Sequence, residues 1–185
     1  MNDAIFTQLQ KEMDGSVAAL RKELAKLRTG RASTSLLENI MVEYYGTTTP
    51  LNQLSTLSAP EPRLLVIQPF DRSAMTEIER AILKSDLGLT PNNDGKIIRI
   101  PIPQLTEERR KDLVKHVKKV AEEYRVSVRN HRRVAIEHLK EAEKKKEITA
   151  DDAKHGQDRV QKITDDFIGR IDKVVKAKEE EVMEV

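Results

Sequence analysis

Apolar residues near the start of the chain recur at steps of three and four: Phe6, Leu9, Met13, Val17, Leu20, Leu24 and Leu27. That spacing puts them on one helical face, close to a coiled-coil seam. It predicts a helix from about Asn2 to Arg28, with Gly30 as its stop. A second stripe runs through Leu113, Val117, Val120, Tyr124, Val128, Ala135, Leu139 and Ala142, in a stretch from Thr106 to about Lys146 that holds no Gly or Pro. Thr106 suits an N-cap there, and Glu107 and Glu108 complement the dipole of the first turn. At 1.5 Å per residue this helix would be roughly 60 Å long. A third stripe, Val160, Ile163, Phe167, Ile171, Val174 and Val182, follows Thr149, with Asp151 and Asp152 in the first turn. Gly156 and Gly169 are expected to weaken this last helix only locally.

The middle of the chain has a different character. All seven prolines lie between Pro50 and Pro103. The run ENIMVEYY (38–45) alternates as a strand does, and GTTTP (46–50) reads as a turn after it. LLVIQP (64–69) is a short apolar run flanked by prolines and reads as a second strand. Ser73 is expected to cap a helix reaching about Ser85, with Ile78, Ile82 and Leu83 on one face and Gly88 closing it. After the NNDG turn, KIIRIPIP (96–103) reads as a last strand that its prolines confine to an edge or an end. The predicted order is β, β, α, β.

Three long helices drawn from two distant stretches imply an α+β fold. Residues 1–30 and 104–185 are expected to form a three-helix bundle, and residues 31–103 an inserted small α/β domain. The chain would cross between them near Gly30 and near Pro101 and Pro103. A flexible glycine beside stiff prolines fits a hinge between rigid bodies, and it fits a fixed interface equally.

Composition narrows the chemistry. Charged residues make up 35% of the 185, and there are three Phe, three Tyr and no Trp, which favours long amphipathic helices over a thick aromatic core. With no Cys, disulfides, thiolate metal sites and a cysteine nucleophile are excluded. The opening MNDAIFTQLQKEM has neither the basic start nor the apolar run of a signal peptide, and no stretch is long and apolar enough to span a bilayer. A cytoplasmic protein without membrane contact is expected.

A net charge of +2 conceals an uneven distribution. Residues 1–105 are balanced, residues 106–146 carry 14 bases against 8 acids, and residues 147–185 carry 7 against 11. On a wheel of 100° per residue, Lys111, Lys115, Lys118, Arg125, Arg129, Arg132 and Arg133 share an arc of roughly 100°. Over this span Glu122 is the one acid within that arc. Solvated helix faces normally mix signs, because i,i+4 pairs of opposite charge stabilise them and like charges do the reverse. Seven bases against one acid therefore point to an anionic partner. Four of the seven are Arg, whose planar fork matches phosphate. Few aromatics lie nearby, so phosphate contact and shape recognition of structured RNA or DNA are expected rather than base stacking. The acidic last segment could instead neutralise part of this face inside the bundle. A protein partner with an acidic surface is the competing reading.

No catalytic constellation stands out. The four histidines, His116, His131, His138 and His155, show no zinc-protease spacing, and no P-loop, G-x-G-x-x-G or G-x-S-x-G is present. A binding protein is expected, with no cofactor, no metal and no catalytic residue.

Several runs taken together, LRTGRAS (27–33), YYGTTTPLNQL (44–54), SDLGLTPNNDGKIIRIPIPQLTEERRKDLVK (85–115) and VSVRNHRRVAIEHLK (126–140), resemble the bacterial ribosome recycling factor family. The resemblance implies a long three-helix bundle with an inserted β/α/β domain in an L-shaped, tRNA-like outline. It implies a monomer that binds large-subunit ribosomal RNA and acts with elongation factor G, whose GTP hydrolysis drives the post-termination ribosome apart. By motif match, Arg132, Arg129, Arg133, Arg28 and Arg31 would contact RNA, with Arg109 and Arg110 behind them; Arg125 and Lys118 join from the basic arc. The chain departs from the family's usual pattern at Phe70, where many relatives carry Trp, and at His131 and Val134, where an aliphatic residue and Asp are more usual.

Overall fold

The structure is a computed structural model that describes residues 3–184. In chain order its elements are α1 (Ala4–Ala25), β1 (Met41–Tyr44), β2 (Thr47–Pro50), the single turn α2 (Leu51–Leu54), β3 (Ser55–Glu61), β4 (Leu64–Pro69), α3 (Met75–Lys84), β5 (Asn92–Asn93), β6 (Ile98–Pro101), α4 (Glu107–Lys144) and α5 (Ala150–Met183). They form two compact units: Met1–Thr29 with Glu107–Val185, and Gly30–Thr106. The predicted start of the first helix at Asn2 lies outside the described residues. Its end comes earlier than expected, at Ala25 rather than Arg28.

In the first unit, α1, α4 and α5 pack along one continuous apolar seam. Phe6, Leu9, Met13, Val17, Leu20 and Leu24 from α1 meet Val117, Val120, Ala121, Val128, Ala135 and Leu139 from α4, and Val160, Phe167, Ile171 and Val175 from α5. Tyr124 and Ile163 are only partly buried, because each sits at the edge of its stripe. Thr149 caps α5 through a capping box: its hydroxyl accepts from the Asp152 N–H, and the Asp152 carboxylate accepts from the Thr149 N–H. Gly156 is more than a weak point. A Cβ there would lie 3.0 Å from both methyls of Leu139, so the missing side chain is what lets α4 and α5 approach.

The second unit contains a two-stranded hairpin, β1–β2, and a four-stranded antiparallel sheet in the order β3-β4-β6-β5. In β4, Leu65 and Ile67 face Ile100 and Ile98 of β6 and are fully buried. Met75, Ile78 and Ile82 of α3 belong to the same core.

Several expectations here are corrected. GTTTP is not a turn: only Tyr45 and Gly46 turn, both at positive φ, and Thr47–Pro50 pairs with β1. Strand β3 and the two-residue β5 were not anticipated, because STLSAPE is mostly polar or small and NN has no apolar residue. Of the two places expected for the prolines of β6, an edge or an end, the structure has the end: β4 lies on one side of the strand and the two-residue β5 on the other. Its prolines permit this because Pro101 is its last residue and Pro103 lies beyond it. Asp71, not Ser73, supplies the cap ahead of α3: its carboxylate accepts from the Ser73 N–H within a short 3-10 turn. Leu83 points to solvent.

Candidate nucleic-acid interface

The cations of α4 lie on a single unbroken helix, so their angular order follows from their spacing. Lys111 to Arg133 covers about 33 Å of helix length. Along that length the side chains differ in what already holds them.

Arg125 is committed within the bundle. It donates from Nε and Nη2 to Asp172 Oδ1 of α5, at 3.1 and 2.7 Å, and from Nη1 to Glu122 at 3.4 Å. Burial opposes its charge, but Asp172 and Glu122 outweigh that and raise its pKa. Glu122 also accepts from Arg129 at 2.9 Å. The hydrogen bond from Arg129, aided by the charges of both arginines, holds the Glu122 carboxyl below its ordinary value. The one acid on the arc thus serves as a clip between two arginines one turn apart.

Arg132 is half-buried, and among the described residues its one hydrogen bond is a long 3.4 Å contact to Gln161, whose amide is oriented by Asp165 at 2.8 Å. Arg133, Lys115 and Lys118 are exposed, and among the described residues they have no hydrogen-bonded or ion-paired partner. Lys111 pairs with Glu107 at 3.2 Å, a solvent-exposed contact. The basic arc therefore survives in part. One arginine is taken up by α5, one is shared with Glu122, and Arg132, Arg133, Lys115 and Lys118 remain available to an anion.

The other candidates are not gathered onto this arc. Arg109 is exposed and engaged in a contact of its own, while Arg110 is half-buried with its Nε out of reach of both solvent and any acceptor. Arg28 follows α1 in the first unit, and its neighbour Thr29 donates to Glu181 of α5 at 2.9 Å. Arg31 belongs to the second unit; both Arg28 and Arg31 already have intramolecular partners. Gly30 has φ +78° and lies against Leu105, where a Cβ would come within 3.0 Å of that side chain. Pro101 is paired with Leu64 in the sheet, and Pro103 is exposed.

The unusual residues on α4 have visible consequences. His131 Nδ1 lies 3.0 Å from Glu12 of α1 and its Nε2 3.5 Å from Ser127, so it forms a polar α1–α4 contact that an aliphatic side chain could not make. Val134 is exposed. What sequence reasoning missed is Asp172: nothing in the spacing of α5 shows that it meets Arg125, because that depends on the register between two helices. Among the described residues no group of His, Asp and Glu side chains could hold a metal ion, and no helix is long and apolar enough to cross a membrane.

A family model described as Ribosome recycling factor matches residues 20–183. The chain belongs to the ribosome recycling factor family. The ribosome-recycling factor of Natranaerobius thermophilus is 58% identical over 180 residues, covering 97% of this chain and 98% of that one. That of Bacillus subtilis is 55% identical over the full length of both. A solution structure of the ribosome recycling factor covers both chains completely at 44% identity, with a TM-score of 0.73. A second solved relative is the Thermus thermophilus ribosome recycling factor, described together with Escherichia coli elongation factor G bound to the E. coli post-termination complex. It is 47% identical, covers 97% of each chain and has a TM-score of 0.61. The mixed fold read from the sequence, long packed helices with a small sheet unit, is that of these relatives.

Proposed function

We propose that this protein recycles ribosomes after termination: it binds large-subunit ribosomal RNA through the α4 arc and, with elongation factor G, parts the two subunits. The observation that carries the RNA contact is the run of Lys115, Lys118, Arg129, Arg132 and Arg133 on one side of a continuous helix, three of them without a hydrogen-bonded or ion-paired partner among the described residues. Unpaired cations in a row repel one another, and a phosphate backbone relieves that repulsion while releasing its counterions. Arg28, Arg31, Arg109 and Arg110 extend the contact, and Arg125 acts by holding the arc against α5. The chain itself performs no bond chemistry in this proposal; GTP hydrolysis belongs to the elongation factor. The protein acts in the cytoplasm, where ribosomes are. Gly30, with Pro101 and Pro103 as stiff neighbours, is the proposed pivot of the inserted unit.

Splitting of purified 70S post-termination complexes with elongation factor G and GTP tests the whole reading, and no splitting with a cognate factor would defeat it. For the RNA contact, Arg132→Ala is expected to weaken 50S binding by about 1–3 kcal/mol, the range of a charge-assisted hydrogen bond. Unchanged affinity at matched salt would remove Arg132 as the anchor. Retention on ribosomes that survives nuclease would favour a protein contact instead.

A further inference from the structure

From Lys111 to Arg133, Glu122 is the one acid on the basic arc of α4. Its side chain is 53% exposed, so the core makes no demand for it, and among the described residues its ion pairs are all within α4. It also stands at a boundary. Lys111, Lys115 and Lys118 precede it on the arc, and Arg125, Arg129, Arg132 and Arg133 follow it. An anion laid along the whole arc would pass over a carboxylate half-way.

The carboxylate is engaged with the arginine half. Oε1 accepts from Arg129 Nη1 at 2.9 Å and Oε2 from Arg125 Nη1 at 3.4 Å, while Arg125 is itself anchored on Asp172 of α5 at 2.7 Å. Signs alternate along the row Asp172, Arg125, Glu122, Arg129, and its inner end is fixed to a second helix. The Arg129 contact spans seven residues, about 10.5 Å of rise, where helix pairs ordinarily span three or four. At those ordinary spacings Arg129 meets only Arg125, Val126, Arg132 and Arg133, so α4 offers it no nearer carboxylate. Arg129 therefore lies back along the helix toward the N-terminus, the direction helical side chains favour. Among the described residues it makes no other hydrogen bond, which leaves its Nε and Nη2 for an acceptor from outside.

A freely moving Arg129 would serve any phosphate, and an uninterrupted row of cations would bind any nucleic acid. The acid changes both. It holds one guanidinium in a set orientation, which lowers the ordering cost only for a phosphate in the matching place. It also repels a phosphate run laid end to end along the arc, and like-charge contacts of this kind reject wrong partners. We infer that Glu122 is a specificity-determining residue of the arc: it favours the locally clustered phosphates of a folded RNA surface over the regular backbone of a plain duplex. The inference rests on the RNA contact proposed above, and adds to it a selection among RNAs that phosphate contacts alone do not supply.

The test uses the full-length protein with Glu122→Ala, which suits an exposed helical position and leaves the Arg125–Asp172 pair in place. Affinities for 50S subunits and for a short RNA duplex of mixed sequence are measured at matched salt. Duplex affinity is expected to rise about threefold and 50S affinity to fall about threefold, the scale of one exposed charge pair, so the preference narrows about tenfold. A stray surface charge would instead raise both affinities by the same factor, and a purely structural role would lower both; either result would overturn the inference. A second protein tests the route. With Arg129→Ala already present, Glu122→Ala should no longer weaken 50S binding, and an undiminished further loss would overturn the inference as well. If the parent shows no preference for 50S subunits over the duplex, the RNA contact itself is wrong, and the inference goes with it.

Discussion

The bundle and the inserted unit solve opposite problems with the same sparse set of aromatics. The bundle buries Phe6 and Phe167 in its seam and covers each ring's face with an arginine, Arg159 at 4.1 Å and Arg170 at 4.4 Å. The inserted unit packs Tyr44 against the edge of its core and leaves Tyr45 and Phe70 exposed. The bundle, in turn, exposes charge where the inserted unit exposes apolar surface. The two units thus differ in which side chains they leave facing water.

The largest effects should separate the two units. Leu20→Ala and Leu65→Ala each remove a fully buried side chain, one from each core, and each should cost about 2–5 kcal/mol. Hydrogen exchange read by segment tests whether the units stand apart. Leu65→Ala should raise exchange in β4 and β6 while α4 and α5 stay protected, and equal loss in both would mean a single cooperative structure.

Next in size is a contrast within the α4 arc. Arg125→Ala leaves Asp172 without its cation and Glu122 with Arg129 alone, and should lower bundle stability by at most about 1 kcal/mol, since the pair is partly solvated. Arg133→Ala should leave stability within about 0.5 kcal/mol, yet reduce the slope of log affinity for 50S subunits against log salt by roughly 0.7–0.9. Denaturant melts and salt-titrated binding on the same two proteins would show whether the arc divides as its contacts suggest. A reversed outcome, with Arg125 governing the salt slope, would break the division.

How much of this was legible in the sequence follows from what each feature depends on. The bundle helices declare themselves through local spacing, and so do the Thr149 cap and the angular grouping of the α4 bases. The sheet does not. β2 is TTTP and β3 is STLSAPE, segments recruited into hairpins by the adjacent β1 and β4 rather than marked by an apolar alternation of their own. The exposure of Tyr45 was hidden for a related reason: Tyr44 and Tyr45 read as the end of one strand, and only the two-residue turn shows that Tyr45 faces water. On α4, sequence alone singled out Arg125 as readily as Arg133. Their difference is made by Asp172, 47 residues away.

The smallest expected effect is a dependence on acid that should be felt in the inserted unit's NNDG turn. Asp94 accepts from the backbone N–H groups of Ile97 and Lys96 and from Arg99, which together hold its pKa at about 2 against an ordinary 3.8. A depressed carboxyl contributes stability above its unfolded pKa and loses it as pH falls through the folded one. That contribution should be intact above pH 3.8 and vanish as pH falls toward about 2. Asp94→Asn should flatten this part of an acid titration of the β5–β6 amide signals, and a titration midpoint for Asp94 near its ordinary value would refute the assignment.

Gly30 touching Leu105 has a consequence for how the chain folds. The insertion runs from Gly30 to Thr106, about 77 residues, yet its two ends lie against each other. Once that unit has folded, α1 and α4 are tethered as if by a link of a few residues. Loop-closure entropy grows as the logarithm of length, so the early-folded insertion spares helix pairing about 2–3 kcal/mol relative to an unfolded one. A long insertion with adjoining ends thus costs the pairing of α1 and α4 little more than a short loop, provided the insertion is itself folded.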